Sequence, residues 1–445
     1  MSLRLRPPGP TGHFLYGSIP EFRRHRLDFL TQCARDYGDI CTFRFGPRRA
    51  FLVTHPDLIE KVLVTDAKHY IKHFGARMYK PVFGNGLVTS EGDFWLRQRR
   101  LSQPAFHRNR LNSYAPVMVQ LTEKMLANDW HDGRAVDIHA ELSSLTSAIA
   151  LKTLFGLEGD ADRDAYTDSL REVFELLTAR FGRLVHLPLW LPTPYNLRLR
   201  RALTRLRFLV DGFIRQGRER KVPGDDLLSR LIIAQDEDGS HMSDVQLRDE
   251  AMTLYLAGHE TTALTLSWTW YALASEPRVE ERLAAEWATV LGGRSPTVDD
   301  LPRLTYTEHV ITEAMRLYPP VYLIGREATS DRELGEYTVP RGTTVFMSQW
   351  VTHRDGRHYD APLEFRPERW EEGLAKRLPK YAYFPFGGGP RVCIGNGFAM
   401  MEAVLLLATI GQQYRFTLDP EPPVRFELGI TLLPEAGIPA TLRRR

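Results

Sequence analysis

Cysteine is scarce in this chain, with 3 among 445 residues. That odd, sparse set makes no disulfide framework and points to a reducing compartment. Long apolar runs are missing too. No uninterrupted stretch approaches the roughly 18 apolar residues of a membrane span. The opening segment through Pro7-Pro8-Gly9-Pro10 has no apolar core for a secretory signal. A net charge of +3 is too small to imply nucleic-acid binding. Repeats, low-complexity tracts and composition shifts that would mark a linker are absent. What is left is a cytoplasmic globular protein, and 43% hydrophobic with 25% charged residues gives it a core of ample size.

The apolar spacing predicts a mainly α chain with a small β region. Residues 22–37 and 56–64 read as helices, and 40–45 and 50–54 as strands across the turn signal Gly46-Pro47. Residues 74–90 read as a long loop carrying Met78, Tyr79, Val82, Phe83, Leu87 and Val88, the kind of apolar loop that becomes a lid or pocket wall. From 91 to 271 nearly everything is helical by period, with breaks near 186–194 and at Pro223-Gly224. Strands return after Pro319, at 321–324, 335–339, 343–347 and 425–432. A sheet drawn from both ends of the chain argues for a single domain over 1–445.

Four constellations carry chemistry. In Phe386-Gly387-Gly388-Gly389-Pro390-Arg391-Val392-Cys393-Ile394-Gly395, glycines let a partner approach the thiol, and a helical pattern opens at Gly395-Asn396. A helix N-terminus favours the thiolate, so Cys393 reads either as a soft-metal or haem-iron ligand or as an incidental buried thiol in a turn. Ala257-Gly258-His259-Glu260-Thr261-Thr262 places an acid and alcohols inside an apolar helix over 243–274. This is costly unless satisfied or functional. Thr261 can return its hydroxyl to the carbonyl four residues back, and Gly258 leaves room for a ligand. A kinked core helix is the alternative. The zinc-protease pattern is broken at Ala263. Glu313 and Arg316 share a helical face, and Arg369 sits in the Pro-fixed loop Phe365-Arg366-Pro367-Glu368-Arg369-Trp370. Such pairs are usually solvated. Trp95 and Arg99, four apart, can donate to one carboxylate, or the run through Arg97 and Arg100 is a solvated face.

In combination and in chain order these motifs resemble the cytochromes P-450, the haem-thiolate monooxygenases, over essentially the whole sequence. The resemblance implies haem b held between the long central helix and the helix after the cysteine loop. Cys393 would be the iron ligand, with Phe386 and backbone N–H groups near Gly395 tuning the sulfur. Trp95, Arg99, Arg326 and Arg391 would hold the propionates, and Ala257 would line the cofactor. Thr261 and Glu260 would deliver protons to oxygen, while Glu313, Arg316 and Arg369 would form a structural triad. His259 is expected to be a packed helix residue. Trp370 stands where the family more often has Phe, and nothing functional is expected to change with it.

By position in the family, Phe83, Leu87, Val88, Leu254, Ala257, Val321, Leu323 and Ile430 are the expected pocket residues, and their apolar character implies a lipophilic substrate such as a fatty acid or terpenoid. Residues 184–191, with Trp190, resemble the family's mobile roof. No G-x-G-x-x-G occurs, so no fused reductase is expected, and electrons would come from a separate ferredoxin or flavodoxin with its reductase. Arg97, Arg100, Arg108 and Arg110 are the expected basic patch for that partner. A peroxide-using peroxygenase or isomerase, and a haem-based sensor, are rival readings; the Glu260-Thr261 pair favours the O2-using monooxygenase.

Overall fold

The computed structural model describes residues 6–157, 169, 172–173, 176, 188–220, 224–236, 239–371, 373–419 and 424–445. They divide into two compact units, one of Met1–Met78, Leu126–Leu142 and Leu264–Arg445, the other of Tyr79–Met125 and Ser143–Ala263.

The first unit is organised on a five-stranded sheet in the order Ile40–Phe45, Arg48–Val53, Thr344–Met347, Ile324–Ala328, Tyr70–Lys72. Only the pairing of Arg48–Val53 with Thr344–Met347 is parallel, with Ala50 opposite Thr344; the others are antiparallel. Successive residues of a strand point to opposite faces, and here both faces are buried. Ile40, Phe51, Val53, Val345 and Met347 fill one side. Cys41, Phe43, Ala50, Leu52 and Phe346 fill the other, stacked on the helix Arg26–Tyr37 through Leu30 and Cys33. Each fully buried Phe, Ile, Leu, Val or Met among them contributes about 1.5–3 kcal/mol. The same unit holds an antiparallel three-stranded sheet, Ala135–Asp137, Pro439–Arg444 and Tyr414–Leu418, and the helices Pro277–Leu291, Thr305–Leu317 and Asn396–Gly411.

The second unit is helical. Its helix Pro194–Glu219 starts where Thr193 accepts the N–H of Asn196, with proline at the first turn. The central helix, Asp244–Ala274, belongs to this unit through Ala263 and to the first unit from Leu264; it is one residue shorter than the spacing predicts. Among the described residues no helix is long and apolar enough to cross a membrane.

Several local expectations shift. The helix over 22–37 is two, Ile19–Arg24 and Arg26–Tyr37, parted at His25. The loop at 74–90 contains short helices Phe74–Arg77 and Lys80–Phe83. The helix at 56–64 ends as a wider π-turn, Lys61–Thr65. The strand expected at 335–339 is a hairpin, Arg332–Leu334 and Tyr337–Val339, because Gly335 sits at φ 58° and turns the chain back. The strand at 425–432 is likewise two, Phe426–Leu428 and Leu432–Pro434.

Two histidines of the first unit, the half-buried His73 and the fully buried His353, give it an acid-sensitive core. His73 accepts the Gly75 N–H at 3.2 Å, and burial, with Arg326 and Arg77 nearby, pushes its pKa down to about 4. His353 accepts the Phe384 N–H at 3.0 Å; burial, then Arg316 and Arg354, hold it well below the ordinary range. Both imidazoles are neutral when folded, whereas the unfolded chain takes up protons near pH ~6.5. Their stabilisation is therefore complete above that pH and is lost as the pH falls toward the folded values. The slope is about 1.4 kcal/mol per pH unit for each group. Urea midpoints should drop between about pH 6.5 and 5, before carboxylates titrate, and His73→Asn should flatten part of that slope. An identical slope in the variant would remove His73 from the account.

Candidate active site

The cysteine loop is shaped by its glycines. Gly387 and Gly389 lie at φ 71° and 66°, the left-handed region open to glycine. A Cβ on Gly389 would stand 1.9 Å from the Leu63 carbonyl oxygen, and one on Gly388 2.3 Å from the Tyr381 ring. The loop backbone is thus pressed onto the turn Lys61–Thr65 and onto Tyr381. A short turn, Gly389–Arg391, follows, and the Cys393 N–H donates to the Phe386 carbonyl at 3.0 Å. The helix Asn396–Gly411 then begins, buried continuously from Met401 to Gly411. Cys393 itself is exposed and forms no disulfide. The loop spends its backbone on inward contacts, so the thiol is the part that projects. An accessible thiol just ahead of a helix start is suited to bind a soft or borderline metal, haem iron included.

Over residues 250–270 of the central helix, burial is interrupted at one place. Residues 251–256 and 262–270 are buried, whereas Ala257 is exposed and 258–261 are half-buried. A Cβ on Gly258 would meet nothing within 4 Å, so this turn has the room for a flat ligand that the sequence suggests. Three successive carbonyls here accept hydroxyl donors: Ala257 from Thr261 (2.7 Å), Gly258 from Thr262 (3.0 Å) and His259 from the buried Thr146 (3.0 Å). Extra donors on helix carbonyls weaken the local ladder. His259 donates through Nδ1–H to the Tyr255 carbonyl at 3.2 Å and stacks on that ring. It is a packed helix residue.

Glu313, Arg316 and Arg369 come together, fully buried. The Glu313 carboxylate accepts five donors: Arg316 Nε and Nη2 (2.8 Å each), Arg369 Nε (2.9 Å), the Arg366 backbone N–H (3.0 Å) and Trp370 Nε1 (2.9 Å). Arg316 also donates to the carbonyls of His353, Pro362 and Glu364, and Arg369 to those of Asp360, Ala361 and Glu364. The sequence reading missed Trp370: its indole is the fifth donor, a contact that phenylalanine cannot make. Through His353, whose ring accepts the Phe384 N–H, the cluster reaches the segment leading into the cysteine loop.

The remaining residues fall as follows. Trp95 is buried and Arg99 half-buried on one face of Gly92–Ser102. Arg326 and Arg391 are half-buried, and Arg326 also donates to the Gly325 carbonyl at 3.0 Å. Phe386 and Gly395 flank the cysteine, half-buried. Phe83, Leu87 and Leu254 are buried, while Val88 and Ile430 are exposed. Val321 is half-buried, and Leu323 packs against the core around Phe346. The expected basic patch needs correction. Arg97 donates to Asp236 at 2.8 Å and to Ser240 at 2.7 Å, and Arg100 lies 3.8 Å from Asp236. Both have an acidic neighbour within the unit, whereas Arg108 and Arg110 are exposed and, among the described residues, have no such ion pair. Of the roof segment 184–191, residues 184–187 lie outside the described residues; Trp190 is 75% exposed.

The profile of the Cytochrome P450 family matches residues 7–439. Cyclooctatin synthase of Streptomyces melanosporofaciens is 38% identical over 424 residues, covering 94% of this chain and 91% of its own. Pentalenene oxygenase of Streptomyces avermitilis is 36% identical over 421 residues, covering 92% of each. Cyclooctat-9-en-7-ol 5-monooxygenase, also of Streptomyces melanosporofaciens, is 37% identical over 413 residues, covering 92% of this chain and 88% of its own.

Proposed function

The chain belongs to the cytochrome P450 family, haem-iron monooxygenases that act with O2 on lipophilic substrates and draw electrons from a redox partner; from that premise we propose that it hydroxylates or epoxidises a terpenoid-like hydrocarbon. The names of three relatives, one an oxygenase of an alkene and one a monooxygenase of an unsaturated alcohol, support that substrate class. The single observation that carries the assignment is the exposed Cys393 thiol on its glycine-tight loop at a helix start.

The cofactor is haem b, and its iron, when bound, supplies O2 activation with the Cys393 thiolate favouring O–O cleavage. Phe386 and the backbone near Gly395 shield and tune the sulfur. Trp95, Arg99, Arg326 and Arg391 hold the propionates, the arginines by charge-assisted hydrogen bonds. Ala257, with no more than a methyl, lets the cofactor lie against the helix. Thr261 turns its hydroxyl from the Ala257 carbonyl toward the open face and passes a proton that Glu260 supplies from beside it. Phe83, Leu87, Val88, Leu254, Val321, Leu323 and Ile430 are the apolar residues that would meet the substrate. Electrons come from a separate ferredoxin or flavodoxin with its reductase, and three cysteines outside any disulfide support a cytoplasmic setting.

A panel of polycyclic alkenes, screened for a shift in the ferric spin state and then turned over under isotopically labelled O2, tests the assignment; product should carry one labelled oxygen. Thr261→Ala should lower product formed per electron pair by about tenfold or more, with electron consumption continuing, and Thr261→Ser should restore most of it. Unchanged coupling in the alanine variant would remove Thr261 from proton delivery.

A further inference from the structure

Two adjacent carboxylates on the central helix grip the loop over 79–90 by its backbone. The Asn85 N–H donates to Asp249 Oδ2 at 2.8 Å, and the Leu87 N–H donates to Glu250 Oε2 at 3.0 Å. The loop is cut to receive them. Gly84 lies at φ 52°, and a Cβ there would stand 2.1 Å from the Asp249 carboxyl. A Cβ on Gly86 would stand 2.1 Å from the buried Thr253 hydroxyl. Thr89 closes the turn on itself, donating to the Gly84 carbonyl at 2.7 Å. Arg207 donates to the Pro81 carbonyl at 2.8 Å from a separate helix. Glu250 is 1% exposed. Burial pushes the Asp249 carboxyl upward, and the Asn85 donor, Arg248 and Arg207 oppose that shift. The helix therefore bears the desolvation of two acids at one loop.

We infer that Asp249 and Glu250 are positioning residues that latch residues 84–87 and thereby set the place of Phe83, Leu87 and Val88, and with it which carbon of the substrate is presented for oxidation. This rests on the reading of 79–90 as a pocket wall. Backbone acceptors suit the task, because amides fix the loop's path while its side chains stay available to the substrate. Hydrogen bonds to charged acceptors are strong enough to hold one loop conformation against others.

The test is hydrogen exchange on the haem-loaded full chain, read on peptides spanning 82–90, with Asp249→Ala, Asp249→Asn and Gly84→Ala. Exchange should quicken about tenfold or more in Asp249→Ala and Gly84→Ala. It should remain near the parent in Asp249→Asn, whose carboxamide oxygen still accepts. The same two loosened variants should show weaker substrate-induced spin shifts and an altered ratio of products, at an unchanged reduced carbon monoxide spectrum. Exchange unchanged in both would overturn the latch. Faster exchange with parental product ratio and spin-shift affinity would overturn its role in presenting the substrate. Exchange does not depend on turnover. A failure of the monooxygenase assignment would appear instead in the parent's carbon monoxide spectrum, leaving the latch judged on exchange alone.

Discussion

Cys393→Ser should yield a folded protein that makes no product above a haem-free control. The two halves of that outcome have separate causes. Folding survives because the Cys393 side chain is exposed, and serine keeps the backbone N–H to Phe386 carbonyl bond of 3.0 Å. The glycine contacts that shape the loop, against Leu63 and Tyr381, are untouched. Activity is lost because a serine hydroxyl is not ionised near neutral pH and offers no soft sulfur donor, so the electron push of a thiolate is gone. With carbon monoxide on the reduced protein, the parent should give the red-shifted Soret band of thiolate ligation, and the variant should not. Compared without haem, circular dichroism and urea midpoint of variant and parent should match within about 1 kcal/mol, as for a surface substitution. A parental carbon monoxide band in the variant would strip Cys393 of its role.

The contrast with Gly389 shows which part of that loop the sequence made legible. Cysteine, glycine and arginine at fixed spacing, followed by an apolar helical period, can be read directly, and the helix opens at Asn396 as that period predicts. The two outer strands of the main sheet, Ile40–Phe45 at one edge and Tyr70–Lys72 at the other, differ in this respect. The first alternates and is followed by a turn signal; the second is three residues long, too short for a period. Tyr414–Leu418 had a usable signal in Tyr414 and Phe416, buried on one side with Arg415 and Thr417 outward, and was overlooked beside the longer helix before it. Contacts between distant parts of the chain leave no such trace. Arg97 is committed to Asp236, 139 positions away, so a run of arginines reads as a patch when two of them are ion-paired. Asp249 and Glu250 look like the polar start of an amphipathic helix, and their ligands are backbone amides, which every residue has. Trp370 could be placed in the motif, yet its donor role required seeing the Glu313 carboxylate beside it.

Glu313→Ala should be among the most destabilising single changes in the chain, and for a reason opposite to that of Cys393→Ser. The carboxylate is fully buried and accepts five donors. Removing it leaves the guanidinium groups of Arg316 and Arg369 in the interior with carbonyls for partners but no countercharge. Breaking one side of a buried ion pair costs about 3–5 kcal/mol. Solvent cannot screen the loss, since Arg316 is 0% exposed and Arg369 3%. Glu313→Gln keeps the shape and one acceptor oxygen but turns an NH2 group toward the guanidiniums, so it should also be costly. Arg316→Lys keeps the charge and loses the fork, since one ammonium cannot reproduce donors to Glu313, His353, Pro362 and Glu364 together. Trp370→Phe removes a single neutral donor and should cost only about 1–2 kcal/mol. The expected order in urea unfolding is therefore Trp370→Phe mildest, with Arg316→Lys and both Glu313 variants far below it. Because His353 links the cluster to Phe384 ahead of the cysteine loop, the Glu313 variants should also lose haem at lower urea than they lose helix. A Glu313→Ala midpoint close to that of Trp370→Phe would mean that the buried guanidiniums find other anions or water, and the cluster would then be a by-product of packing rather than its support.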